Sequence, residues 1–213
     1  MLDRAAVLAE LRVSRETEAL LDGLVASLIR WQTAKNLVGP RTLDEVWTRH
    51  ILDSAQLTEH IPPESRVVDL GSGAGFPGLV FAILRKGVAG SHVSMVESNG
   101  RKCAFLREMI RTLGLQASVS NARIESVLPE MVGKVDVVTA RALASLTGLF
   151  ELTNELLKGP VTGVFPKGQD VADELTEAAK YWTFDASTVA SRTDSKARIV
   201  LVREVRRKSL TAS

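Results

Sequence analysis

Arg66-Val-Val-Asp-Leu-Gly-Ser-Gly-Ala-Gly-Phe-Pro-Gly78 is the stretch that decides the fold. Val67 to Leu70 is a short apolar run, as in a buried strand. Gly71, Gly73 and Gly75 then alternate through a turn that leads toward a helix. Glycines in such a turn bring bare backbone against a ligand, and a carboxylate ending the next strand can hold a ribose. Glu97 stands at that place, closing the strand-like run His92 to Val96. The pair marks a site for a nucleotide-type ligand.

The detail separates two cofactors. A dinucleotide fingerprint starting at Gly71 needs Gly or Ala at position 76, and this chain has Phe76. The pattern that fits is Asp-x-Gly-x-Gly-x-Gly from Asp69 to Gly75, the first motif of S-adenosylmethionine (SAM) methyltransferases. A NAD-dependent oxidoreductase is therefore disfavoured, and no proton-donor constellation supports one.

Working outward, 213 residues suffice for one domain with a sizeable core, or one domain plus a small appendage. Hydrophobic content of 45% and charged content of 24% are ordinary for a globular protein. No apolar run approaches the ~18 residues of a membrane helix, and the first residues do not read as a signal peptide. The single Cys103 excludes an internal disulfide framework and suits a reducing cytoplasm. His50, His60 and His92 are scattered without metal-ligand spacing, so metal catalysis is not expected. Net charge is +2, unevenly spread: residues 1–62 hold seven Lys/Arg against nine Asp/Glu. Basic residues cluster at Arg101, Lys102, Arg107 and Arg111 and again from Lys196 to Lys208. Such runs are either solvated faces or a phosphate-binding footprint, and charge alone does not choose.

Leu20, Leu21, Leu24, Val25, Leu28 and Ile29 recur at helical spacing, predicting an amphipathic helix from Ser14 to Trp31. Asn36 and Gly39-Pro40 end it. A second helix is expected from Thr42, with Glu45 completing a capping box, through Trp47, Ile51 and Leu52 toward His60. Pro62 and Pro63 then divide a helical extension (1–63) from a main domain (64–213). Thereafter strand-like runs at 67–70, 92–96, 117–120, 135–139, 161–165 and 199–205 alternate with helix-length stretches at 76–85, 100–113, 143–157 and 169–181. That alternation predicts an α/β, Rossmann-like, mostly parallel sheet with helices on both faces. Ligands of such sheets lie beyond the carboxyl ends of the strands, where strand order reverses. Asp69 to Gly75, Glu97, Asn121 to Glu125, Arg141 and Lys167 all fall at strand ends.

Each can be given a role. The glycines admit the cofactor's amino-acid part, and Asp69 either holds its ammonium or only pins the turn. Glu97 would accept from both ribose hydroxyls. Phe76 would line the cavity, and Ile124 and Glu125 would cover and hydrogen-bond the adenine. Cys103 reads as a packing residue. Arg49 and Asp53 form an i,i+4 pair beside His50, tying the N-terminal helices to the sheet or making a lid.

Arg49-His-Ile-Leu-Asp-Ser54, the Asp69–Gly78 turn, Val96-Glu-Ser-Asn99 with Arg101-Lys102 and Phe105-Leu106, Arg141-Ala-Leu-Ala144, and Lys167-Gly168 occur in this order. Together they resemble the bacterial RsmG family, also called glucose-inhibited division protein B, over nearly the whole chain. The resemblance implies a cytoplasmic, SAM-dependent enzyme that makes 7-methylguanosine in 16S ribosomal RNA near the decoding centre. It also implies that Gly71, Phe76, Ile124, Glu125 and Arg141 contact the cofactor. Gly100 departs from the pattern, being a weak helix former where a larger residue usually starts the helix.

Guanine N7 fits the physical reading. Its lone pair lies in the plane and methylation leaves no proton there to remove, so positioning can replace a general base. The chain has Ala140-Arg141-Ala142 after its fourth strand in place of the Asn-Pro-Pro-Tyr type of amino-group methyltransferases, and no cysteine pair for pyrimidine carbon. Arg141 and Lys167 are the candidates for placing the guanine, and Arg101 and Lys102 for meeting RNA phosphates. The substrate would be 16S rRNA or the small subunit, presented as a flipped or single-stranded base to a monomer. Rival readings are a methyltransferase for a protein or small molecule and a non-enzymatic RNA-binding module.

Overall fold

The computed structural model describes residues 2–35, 37, 39 and 43–209, with the side chains of residues 33–35 left aside. Asn36, Pro40 and Thr42, called on above for a helix end and a capping box, lie outside the described residues.

Seven strands form one sheet in the order β3-β2-β1-β4-β5-β7-β6. β1 (Arg66–Leu70), β2 (His92–Glu97), β3 (Ala117–Asn121), β4 (Val137–Ala140) and β5 (Thr162–Lys167) run parallel. β7 (Arg198–Arg207) is antiparallel to β5 and carries β6 (Trp182–Ala190) at the edge. Order reverses between β1 and β4, which puts the switch point over the glycine turn.

Side chains of a strand alternate between faces, and the two faces of β1 meet two different clusters. Val67 joins a cluster with α4 (Gly78–Leu84), α5 (Gly100–Leu113), α1 (Arg4–Leu11) and α2 (Arg15–Lys35). Val68 and Leu70 join the other, with α6 (Ile124–Met131), α7 (Leu146–Leu157) and α8 (Val171–Tyr181). Because Leu21, Leu24 and Leu28 share the first cluster with Leu79, Phe105 and Leu106, residues 1–63 and the sheet bury one common core.

The segment expected as one helix from 42 to 60 is three short helices: a π-helix Trp47–Leu52, α3 (Asp53–Ala55) and a 3₁₀ turn Gln56–His60. The expected Arg49–Asp53 pair is absent. Arg49 instead meets Glu45 at 3.2 Å, and Asp53 turns to Arg141. Three elements were not anticipated: α1, α6 and β6. For α6 the signal was present in Ile124, Val127, Leu128 and Met131, at i, i+3, i+4 and i+7, although Pro129 interrupts it. β6 is mostly exposed and rich in Ala, Ser and Thr, so alternation is faint.

Leu24 is fully buried between the N-terminal helices and the sheet layer. Leu24→Ala is expected to lower stability by about 2–5 kcal/mol. Urea unfolding followed by far-UV dichroism and by Trp fluorescence should move together in one transition.

Candidate active site

The site begins with the turn after β1. Gly71, Gly73 and Gly75 all have positive φ, at 65°, 57° and 90°. Their surroundings differ. A Cβ on Gly75 would lie 2.3 Å from Leu79 Cδ1, so this glycine is demanded by packing. A Cβ on Gly73 meets nothing nearer than the carbonyl oxygen of Gly71 at 3.8 Å, which leaves its backbone open to a ligand.

Glu97 ends β2 and reaches back to that turn. One carboxylate oxygen accepts from the Gly73 amide at 2.9 Å, the other from the Asn99 amide at 2.7 Å. Each oxygen keeps a lone pair for a further donor, as a ribose diol requires. Asn99 caps α5 by accepting from Arg101 and Lys102 amides, which fixes the helix start despite Gly100. A Cβ at 100 would stand 3.4 Å from Asn121 Oδ1, an ordinary contact, so packing does not demand the glycine. Asn121 ties the next turn to this one by donating to the main-chain oxygens of Glu97 and Ser98. Ile124 and Glu125 open α6 beyond it, Ile124 half-buried and Glu125 exposed. Cys103 is buried and donates to the Glu97 carbonyl, and burial pushes its thiol up.

Asp69 points to the same sheet face as Val67 and is fully buried. One oxygen accepts from the Gly78 amide at 3.1 Å; the other has no partner. Burial pushes the carboxyl up to about 7, against the pull of the Ser72 hydroxyl, the Gly78 amide and the Arg141 charge.

Across the switch point, Arg141 follows β4 and is held by the π-helix. Its guanidinium donates to the Arg49 carbonyl at 2.9 Å, to Asp53 at 3.3 Å and to His50 Nδ1 at 3.0 Å. It also lies 5.5 Å over the Phe76 ring, on which His50 stacks at 4.7 Å and 17°. Phe76 follows the glycines through a cis bond to Pro77. Burial, then the charges of Arg141 and Arg49, lower His50 to about 4. Asp53 in turn accepts from Thr193 and Gln56, so the loop between β6 and β7 is fastened to the same cluster. Nothing in the sequence signalled that link, because its partners are 140 residues apart.

The remaining cations divide. Lys167 is the last residue of β5 and its ammonium is nearly enclosed, bound by the Ala144 carbonyl at 2.8 Å and Glu174 at 2.6 Å. Glu174 also receives the Leu146 amide, so Lys167 fastens α7 and α8 to the strand end. Arg101 is exposed and Lys102 half-buried at the start of α5, with no carboxylate on either. The basic run from Lys196 to Lys208 does not form one patch. It follows β7 along ten residues, with Arg198 opposite Lys167 and Arg207 opposite Trp182, at opposite margins of the sheet. No group of acids, histidines and cysteine among the described residues could hold a metal ion.

An open glycine backbone and an acid closing the second strand at the switch point suit SAM, and together with the parallel sheet they define a Rossmann-like SAM-dependent methyltransferase. Solved structures share the fold at low identity. A SAM-dependent methyltransferase from Aquifex aeolicus aligns with TM-score 0.56 and 15% identity, covering 80% of this chain and 96% of its own. Cofactor-bound Rv0187 from MTB aligns at 0.59 and 13%, covering 87% and 90%. Sequence comparison gives the family. Residues 17–202 match GidB, rRNA small subunit methyltransferase G, and the chain belongs to that family. Ribosomal RNA small subunit methyltransferase G of Methylorubrum populi is 54% identical over 204 residues, 96% of each chain. The protein of that name in Methylobacterium radiotolerans is 56% identical over 200 residues, 94% of each, and that of Hyphomonas neptunium 44% over 207 residues, 97% of each.

Two buried groups give the site opposed pH responses. His50 takes its proton near 6.5 when unfolded and near 4 when folded, so it costs stability as pH falls through that window. Asp69 loses its proton near 3.8 unfolded and near 7 folded, so it costs stability as pH rises through its window. The slopes largely cancel. Asp69→Asn should therefore unmask the His50 slope, with stability rising by up to about 1.4 kcal/mol per pH unit between about 4 and 6.5. Urea midpoints across that range measure it; an unchanged profile would contradict the burial assigned to both groups.

Proposed function

We propose that this enzyme transfers the methyl group of SAM to N7 of a guanosine in 16S ribosomal RNA of the small subunit, acting in the cytoplasm as a monomer. The carrying observation is the end of β4, where Arg141 offers N–H donors and the nearby carboxylate of Asp53 is already committed to Arg141, Gln56 and Thr193. His50 is too weakly basic to take a proton, and its Nδ1 is occupied by Arg141. Asp69 is sealed from the site's surface. A target atom that needs no deprotonation matches such a site, and N7 is one. No described helix is long and apolar enough to cross a membrane.

Bound SAM supplies an electrophilic methyl on its sulfonium. The chain's part is to bind and orient. Gly73 presents the open backbone, with Gly71 beside it under Leu143, Glu97 holds the ribose, Phe76 lines the cavity, and Ile124 and Glu125 cover and hydrogen-bond the adenine. Arg141 keeps the π-helix over the switch point. Two of its contacts, to Asp53 and the Arg49 carbonyl, share one nitrogen, and His50 takes a hydrogen of the other. The remaining N–H groups can donate to the base. They must favour O6 or a phosphate, because a grip on N7 would mask the reacting atom. Lys167 serves by its ion pair with Glu174, keeping α7 and α8 against the strand end beside the guanine position. Arg101 and Lys102 would meet RNA phosphates.

Purified enzyme with SAM should raise 7-methylguanosine in 16S rRNA nucleosides, read by mass spectrometry, with small subunits, naked rRNA and total protein as parallel acceptors. Methylated protein without methylated rRNA would overturn the reading. Arg141→Ala should slow transfer by on the order of 10²-fold. In the Arg101→Ala/Lys102→Ala double variant, the slope of log affinity for rRNA against log salt should shrink by about 1.5. An unchanged slope would remove both residues from the RNA contact.

A further inference from the structure

Five buried side-chain atoms among the described residues lack a hydrogen-bond partner: His50 Nε2, Ser54 Oγ, Asp69 Oδ1, Arg85 Nη1 and Trp182 Nε1. Two of their owners, His50 and Asp69, belong to the switch-point cluster.

The proton on His50 is located by its neighbour. A guanidinium only donates, so the 3.0 Å contact from Arg141 makes Nδ1 the acceptor and leaves the hydrogen on Nε2. That N–H is buried, in a side chain whose residue is 8% exposed, and it has nothing to donate to. A buried unsatisfied donor is costly and rarely kept without a partner. Its ring cannot rotate away to find one. Phe76 stacks on one face, and Arg141 fixes Nδ1 from a guanidinium that is itself tied to Asp53 and the Arg49 carbonyl. The tie extends to Thr193 on the β6–β7 loop. The imidazole is thus held in one orientation, stacked on Phe76 beside the switch point, the region where ligands of this fold lie.

We propose that His50 is a ligand-binding residue: its Nε2–H donates to an oxygen acceptor of the ligand that packs beside Phe76. This rests on the methyltransferase reading above. Two oxygens share that chemistry: a carboxylate oxygen of the cofactor and the O6 carbonyl of the target guanine.

The test uses the full chain labelled with ¹⁵N-histidine. The Nε2–H resonance of His50 should move downfield when SAM is added if the cofactor carboxylate is the acceptor. It should move only on adding small subunits with SAM present if guanine O6 is. His50→Phe keeps the stacked ring and loses the donor. It should weaken SAM binding by about tenfold in calorimetry in the first case. In the second it should leave SAM binding unchanged and slow single-turnover transfer at saturating SAM by about tenfold. His50→Gln, whose amide can donate, should recover part of either loss. The proposal is overturned if neither addition moves the resonance, or if both variants bind SAM and transfer within about twofold of wild type. It is also overturned if Gln and Phe lose function equally, in step with an equal fall in Tm. Should SAM move the resonance while the wild type leaves rRNA unmethylated, the rRNA reading fails and the His50 contact stands.

Discussion

The Gly78 amide donates to a carboxylate that no solvent reaches, and the rest of the site is arranged around that bond. Asp69 is the buried polar residue of β1, flanked by Val67, Val68 and Leu70, so it can be buried only if the chain returns to it. The return is the glycine turn and the start of α4. A side chain at 78 would stand 2.7 Å from both Asp69 Oδ2 and Met95 Cγ, which is why the helix begins on a glycine. Pinning the crossover this tightly holds Gly73 open and brings its amide within reach of Glu97. The glycine turn and the strand packing are one construction.

On the other side of the switch point the constraint is aromatic and cationic. Phe76 leaves the pinned turn, His50 stacks on it, and Arg141 covers it while holding the π-helix. Arg49 pairs with Glu45, and Asp53 serves Arg141, Gln56 and Thr193. Of the two roles the sequence offered for His50 and Asp53, these bonds describe the tie between the N-terminal helices and the sheet. They also hold the imidazole against Phe76 at the switch point.

Lys167 illustrates how position in the chain and position in space differ. Its place at the end of β5 suggests a group facing substrate. Its ammonium is nevertheless enclosed by Ala144 and Glu174, since a lone buried charge would be too costly without a paired carboxylate. Arg101 and Lys102 sit at an equivalent strand end without such partners, and their charge remains available to an anionic polymer. The long basic tail is dispersed simply because it is a strand, whose rise per residue separates its ends.

Local patterns determined the parallel sheet, the glycine turn, the acid after β2 and the motif order that marks the family. All of these depend on residues within a turn or a strand of each other, where periodicity and glycine chemistry act directly. The exposed edge strand β6 lacked such a pattern, and α6 was obscured by Pro129. Only the tertiary structure decided that Arg141 meets His50 across 91 residues, that Thr193 meets Asp53 across 140, and which charges are neutralised. Such contacts follow from how the layers pack, and packing is set by the whole core. The sequence alone marked the glycine turn and its acid, while the folded chain chose which side chains surround them.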